Sequence, residues 1–130
     1  MVRAEEMIVA GIGFCAGATC ADIVDLLRCA EGRSGCDAQL LAVPDHKAAR
    51  PALIEALSLL GLPLIAIDRM RLERVQARCP TRSRAAMEAV GLSAVAEGCA
   101  LAALDDEGRL VLPRIASARV TCALAAGNRS

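Results

Sequence analysis

The groups in this sequence best suited to chemistry are those that bind anions. Gly11, Gly13 and Gly17 follow a short apolar run, Met7 to Ala10, and precede a helical pattern. A glycine loop that opens a helix offers backbone N–H groups and the positive end of the helix dipole to a carboxylate or phosphate. Thr19 stands at the start of that helix, with Asp22 three residues on to complete a capping box. Lys47 lies just past a second strand, on the side of an open α/β sheet where ligands collect, and its ammonium suits a carboxylate. Arg82 and Arg84 flank Ser83, and Arg114 stands in a late loop; guanidinium groups grip carboxylates through paired hydrogen bonds. Ser93 precedes a further helix and can cap it, while Glu97 one turn in is either an exposed helix residue or a polar contact to ligand. Each has a plainer alternative as a turn glycine, a solvated cation or a helix cap.

A reaction is not readable from these residues. His46 is the only histidine, and no serine or cysteine has a histidine and an acid beside it in sequence, so no catalytic residue is assigned. The seven cysteines are odd in number and form no CxxC pair, and none lies near His46, so neither a disulfide scaffold nor a metal site is expected. Cys20, Cys99 and Cys122 fall on apolar faces and read as small reduced hydrophobes. As a dinucleotide fingerprint the glycines are weak, because Asp45 lies farther on than the roughly 20 residues expected of the ribose-binding acid. No cofactor is expected.

The elements that must position these groups follow from the hydrophobic spacing. Met7 to Ala10 predicts a strand, and Cys20, Ile23, Val24 and Leu27 keep the i, i+3, i+4, i+7 spacing of a helix ending at Gly32 to Gly35. Gln39 to Val43 predicts a second strand before the polar loop Pro44-Asp45-His46-Lys47. Pro51 opens a second helix through Leu53, Ala56, Leu57 and Leu60, with Gly61 and Pro63 to stop it and a third strand to Ile67. Arg69 to Val75 and Arg82 to Val90 read as two short helices joined by an exposed loop, Cys79-Pro80-Thr81. Ala96, Cys99, Ala100 and Ala103 give a third amphipathic helix with a small-residue face, then a turn at Asp105 to Gly108 and strands at Leu110 to Leu112 and Arg119 to Ala125. Apolar strands alternating with helices predict an α/β fold, a three-layer α/β/α sandwich around a mostly parallel, mixed sheet.

Composition narrows the partners. The 130 residues suit one domain, 1–130, and fifteen Lys+Arg against fifteen Asp+Glu gives no polyanion footprint. Trp and Tyr are absent and Phe14 is the only aromatic, which removes base-stacking platforms, so nucleic acid is not expected as a partner. The longest apolar stretch, Ala56 to Ile67, is interrupted by Ser58, Gly61 and Pro63 and is too short to cross a bilayer. The start of the chain lacks the pattern of a secretory signal, so a cytoplasmic location is expected.

Several motifs recur together: Ala10-Gly11-Ile12-Gly13-Phe14 with the small-residue loop after it, Lys47, Leu60-Gly61-Leu62-Pro63-Leu64, and Pro80-Thr81-Arg82-Ser83. Gly91 and Val95-Ala96-Glu97 follow, then Pro113-Arg114 and Thr121-Cys122-Ala123-Leu124-Ala125. In this order and spacing the chain, from about Val9 to Ala125, resembles the CobE family, which is similar to the C-terminal domain of the cobalt-precorrin hydrolase CbiG. The resemblance implies a three-layer fold and a role in cobalamin biosynthesis. It implies binding or delivery of a tetrapyrrole intermediate, with other enzymes of the pathway as candidate partners and a homodimer left open. The alternatives are part of a lactone hydrolase that releases acetaldehyde from a cobalt-precorrin, or an adaptor for other pathway enzymes. The ligand's acidic arms would meet the glycine-loop N–H groups, Lys47, Arg82 and Arg114, and its flat ring would meet Phe14. Cys15 stands where the family often has arginine, and Leu92 and Ala94 stand where it often has threonine and serine. The family's usual acid after the lysine is replaced near Arg50.

Overall fold

The computed structural model describes residues 2–82, 84, 87 and 94–129. Strand β1 spans Met7–Phe14, helix α1 Cys20–Ser34, strand β2 Leu40–Pro44, helix α2 Pro51–Leu60 and strand β3 Leu64–Ile67. Helix α3 spans Arg69–Val75, helix α4 Ala96–Ala102, strand β4 Arg109–Ala116 and strand β5 Val120–Gly127. The five strands form one sheet in the order β3-β2-β1-β5-β4. β1, β2 and β3 run parallel, while β5 is antiparallel to both β1 and β4, so the sheet is parallel on one side and antiparallel on the other.

Alternation along β1 divides the core between two faces, as strand geometry requires. Val9 packs with Leu72, Val75, Cys99 and Ala100 on the α3/α4 side. Ala10 and Ile12 pack with Ile23, Leu27, Leu53 and Ala56 on the α1/α2 side. This is the three-layer α/β fold the spacing predicts.

Local signals act where they stand. The Thr19 hydroxyl accepts from the Asp22 N–H and the Asp22 carboxylate accepts from the Thr19 N–H, which closes the capping box of α1. Gly35 and Gly61 end α1 and α2 in the left-handed conformation, at φ 72° and 67°, where a side chain would be strained. Pro51 begins α2.

Other expectations need correction. Gly11 and Gly13 are not in a loop after the first strand, because β1 continues to Phe14 and pairs along its whole length with β5, Gly11 with Ala123 and Gly13 with Thr121. Gly11 is needed for space: a Cβ there would lie 1.9 Å from the Ala96 carbonyl oxygen and 2.6 Å from the Ala100 nitrogen. Gly98, on the other side of α4, faces α3 and the turn after it, where a Cβ would lie 3.1 Å from the Leu72 side chain and 2.9 Å from the Gln76 Nε2. α4 is thus wedged between the sheet and α3, and all seven of its residues are buried. Val95, not Ser93, occupies its capping position and makes no side-chain hydrogen bond there. Cys79 is buried rather than in an exposed loop, its thiol 3.3 Å from the Val75 carbonyl oxygen. Arg114 lies within β4, an edge strand whose register shifts between Leu110 and Leu112 and again between Leu112 and Ile115, where it passes Pro113, a residue edge strands accommodate. The helix expected from Arg82 to Val90 lies largely outside the described residues.

A buried carboxylate joins the two ends of the fold. Glu6 accepts from both terminal nitrogens of Arg109, at 2.8 and 3.0 Å, and from the Arg3 N–H at 2.9 Å. These bonds, Arg109's first, hold the Glu6 carboxyl down at about 2 against an ordinary 4.5. A depressed carboxyl stabilises the fold fully above its unfolded value and stops doing so as pH falls through its folded one. The protein should therefore lose stability as pH drops from about 4.5 to about 2, and Glu6→Gln should flatten that part of the profile. Urea midpoints of both proteins at about pH 6 and about pH 3 check this, and parallel losses in the two would refute it.

Candidate functional site

Ligands of open α/β sheets collect beyond the carboxyl ends of the parallel strands. Here β1 ends at Phe14 and β2 runs into a 3-10 turn, Asp45–Lys47. The two ends lie side by side because Val9 to Gly11 pair with Leu40 to Ala42 in parallel register. The result is a contact between residues far apart in sequence: the Lys47 ammonium stands 5.3 Å from the centre of the Phe14 ring. Both side chains are half-buried. Partial burial, reinforced by the neighbouring Arg50, pulls the Lys47 ammonium below its ordinary pKa, while Cys15 acts in the opposite sense. Among the described residues no carboxylate lies within ion-pair distance of Lys47. The arrangement sets an unneutralised cation over a half-buried aromatic ring.

The start of α1 is less open than the glycine reading implies. Cys15 donates its N–H to the Arg119 carbonyl at 3.1 Å and accepts from the Ala18 N–H at 3.1 Å, so residues 15–18 form a closed turn with the Cys15 side chain exposed. Asp22 already places a negative charge at the helix N-terminus. Its carboxyl is lowered mainly by the Thr19 N–H, and the Arg119 guanidinium stands 3.7 Å away. An external anion would compete here with the chain's own carboxylate. Gly13 borders the opposite face of the sheet, where a Cβ would lie 2.6 Å from the Thr121 hydroxyl and 3.6 Å from Val95.

On that opposite face, Glu97 is neither exposed nor turned outward. It is 1% exposed, and its carboxylate accepts from the Thr81 N–H, the Thr81 hydroxyl and the Arg114 N–H at 2.9, 2.9 and 3.0 Å. An acceptor-only group with room for several donors meets three here. Glu97 thereby ties the 79–82 loop and β4 to the start of α4. Arg82 turns back onto its own loop, its guanidinium hydrogen-bonded to the Cys79, Thr81 and Gln76 carbonyls. The Arg114 side chain remains exposed. Ser83 and Ser93 lie outside the described residues.

The structure thus brings Phe14, Cys15 and Lys47 together at one face of the strand ends, and gathers Thr81, Glu97 and Arg114 at the other. Sequence reasoning noted Arg50 only as a departure from the family pattern and missed Arg119; the structure sets Arg50 near Lys47 and Arg119 near Asp22. The buried thiols are unsuited to nucleophilic work: burial raises Cys79 to about 11 and Cys122 to about 12, and raises Cys99 as well. Among the described residues no cluster of His, Cys, Asp and Glu could hold a metal ion. A shallow hollow of about 230 Å³ lies between α1 and the β4–β5 turn, lined by Asp22, Asp25, Leu26, Cys29 and Ser117. Its two carboxylates make it a poor seat for an acidic ligand. Among the described residues no helix is long and apolar enough to cross a membrane.

Known proteins share this fold. Protein CobE from Sinorhizobium sp is 34% identical over 89 residues, 68% of this chain and 58% of that protein, so the match spans little more than half of the relative's length. The crystal structure of CobE, a protein from the cobalamin (vitamin B12) biosynthetic pathway, covers all of the chain and 96% of its own, with a TM-score of 0.89 at 26% identity. The cobalamin biosynthesis protein chiG from Agrobacterium tumefaciens str. C58 covers 95% of this chain and 100% of its own, with a TM-score of 0.75 at 37% identity. A cobalamin biosynthesis protein G homologue from Sulfolobus solfataricus shares the fold, with a TM-score of 0.70 at 20% identity over 92% of this chain, but only 36% of its own length is matched. Residues 8–125 match the family model described as cobalamin synthesis G C-terminus. The chain belongs to this family of cobalamin-synthesis proteins.

Proposed function

We propose that the chain binds a tetrapyrrole intermediate of cobalamin synthesis and delivers it to other enzymes of the pathway. The Phe14–Lys47 pair carries this reading, because it sets an aromatic face and an unneutralised cation together where β1 and β2 end. A corrin precursor has the matching chemistry, a flat apolar ring rimmed by acetate and propionate arms. The ring would lie against Phe14 and an arm would reach Lys47, and the exposed Arg114 is a further candidate for an arm. The pathway of the relatives supports this class over other anionic ring compounds.

The test is a visible-absorption titration with a panel of corrin-pathway intermediates, since a chain without Trp or Tyr leaves that window clear. One intermediate should give a saturable shift. Lys47→Ala should weaken it by roughly 10- to 100-fold, the value of a hydrogen bond to a charged group. An unchanged affinity in the variant would remove Lys47 from the site, and no shift with any intermediate would end the reading.

The alternative is one part of a lactone-opening hydrolase. It draws on the fold's occurrence in the Sulfolobus protein, where it makes up about a third of a longer chain. The same titration separates the two readings, because a carrier leaves the bound spectrum steady while a hydrolase converts it with time.

A further inference from the structure

Lys47 is unusual in this chain in a way that its charge does not explain. It is the only lysine among the fifteen Lys and Arg residues. It is also the residue placed against Phe14, the only aromatic. For gripping a carboxylate or stacking on a ring, arginine serves better than lysine: its planar guanidinium bonds in pairs and stacks flat. Arginine fills all fourteen other Lys and Arg positions, and of the two residue types lysine is the one that can give up a proton. What lysine adds is a primary amine, which is a nucleophile once neutral.

The surroundings suit that use. No carboxylate among the described residues pairs with Lys47 and holds it charged. Arg50 adjoins it from the start of α2, and partial burial and Arg50 both favour the neutral amine. The ring contact works in the opposite sense, worth about 0.5–1 kcal/mol at a partly exposed site. Lys47 is half-buried, not sealed in the core.

We propose that Lys47 is a nucleophilic amine that forms an imine with an aldehyde or ketone group on an anionic ligand seated against Phe14. The neutral nitrogen attacks the carbonyl carbon, a C–N bond forms and the carbonyl π pair moves to oxygen. The nitrogen loses its protons to water and the oxygen gains two, so the C–O bond breaks with release of one water and a C=N bond remains. No oxidant or reductant takes part. The proposal rests on the same site as the binding reading and adds a covalent step to it.

The probe is pyridoxal 5′-phosphate, an aromatic aldehyde with an anionic arm, trapped by cyanoborohydride and followed by peptide mass spectrometry on the full chain. The comparator is the double variant Lys47→Arg with Arg33→Lys, which moves the sole lysine to an exposed helical position with ordinary surroundings. Labelling of Lys47 should saturate with probe concentration, as reaction within a bound complex must, and Phe14→Leu should abolish the saturation. Labelling of the relocated lysine in the comparator should rise linearly. If Lys47 also labels linearly and no faster than the comparator lysine, the imine proposal is overturned. Lys47→Arg separates this result from the binding reading. If it still shifts the absorbance of the corrin intermediate while saturable labelling of the parent is absent, binding stands and the imine falls. Saturable labelling of the parent with no response to any corrin intermediate keeps the imine and removes the tetrapyrrole.

Discussion

Gly11→Ala should cost at least about 3 kcal/mol, the upper range for overpacking a core, and lower the melting temperature by roughly 10 °C or more. The added methyl meets backbone on α4, 1.9 Å from the Ala96 oxygen and 2.6 Å from the Ala100 nitrogen. A flexible side chain could swing aside, but a helix wedged between the sheet and α3 cannot. Retreat of α4 would carry the Glu97 carboxylate away from Thr81 and Arg114. Gly32 supplies the control, since a Cβ there meets nothing within 4 Å on the exposed face of α1. Gly32→Ala should be neutral or stabilising by up to about 1 kcal/mol. Urea denaturation of the two variants checks the contrast, and equal stabilities would show that α4 does not depend on the missing side chain at Gly11.

Glu97→Gln should destabilise the protein by roughly 2–4 kcal/mol although it changes almost no volume. Three donors converge on the carboxylate. A glutamine offers one acceptor oxygen, and its NH₂ must face either the Thr81 N–H or the pair formed by the Thr81 hydroxyl and the Arg114 N–H. Each orientation sets donor against donor in a buried place. Besides the loss in urea, hydrogen exchange should speed up at the Thr81 and Arg114 amides and leave the β1–β2 amides protected. A change within about 0.5 kcal/mol would mean that the carboxylate is not what holds these segments, and would return Glu97 to the candidates for ligand contact.

These two residues also show what the sequence could and could not reveal. Signals that act within one turn were readable: the Thr19–Asp22 box, Pro51 at the head of α2, and the glycines that end α1 and α2 all act on neighbours a few residues away. The spacing of Leu53, Ala56 and Leu57 gave the α2 layer, since a helix with one apolar stripe must lie on a sheet, whereas the helix read as amphipathic from Ala96 is buried at all seven positions. Gly11 and Gly13 were misplaced because glycine is ambiguous in sequence. It marks a turn in one context and a close approach by another element in the next, and here the element is α4, more than eighty residues on in the chain. Glu97 was misjudged for a related reason. Its polarity suggests an exposed or ligand-facing group until its donors, Thr81 and Arg114, are seen to converge from both sides in sequence. Thr81, Glu97 and Arg114 meet through the three hydrogen bonds of the carboxylate, which their separate places in the sequence do not show. Lys47 was legible as a residue beyond a strand end, but its meeting with Phe14 depends on the pairing of β1 with β2, which no local pattern encodes.

The strand order has a consequence for how the molecule is made. β5 is the last of the strands along the chain, yet it lies between β1 and β4 and pairs with every residue of β1. Until it emerges from the ribosome, one edge of β1 has no partner, and α4 has only part of the floor it packs against. The first three strands and their helices can assemble as synthesis proceeds, but the sheet is completed by a late insertion beside the first strand, a long-range step of the kind that slows folding. In the interval the nascent chain carries an open apolar edge, and its dependence on chaperones should be concentrated there.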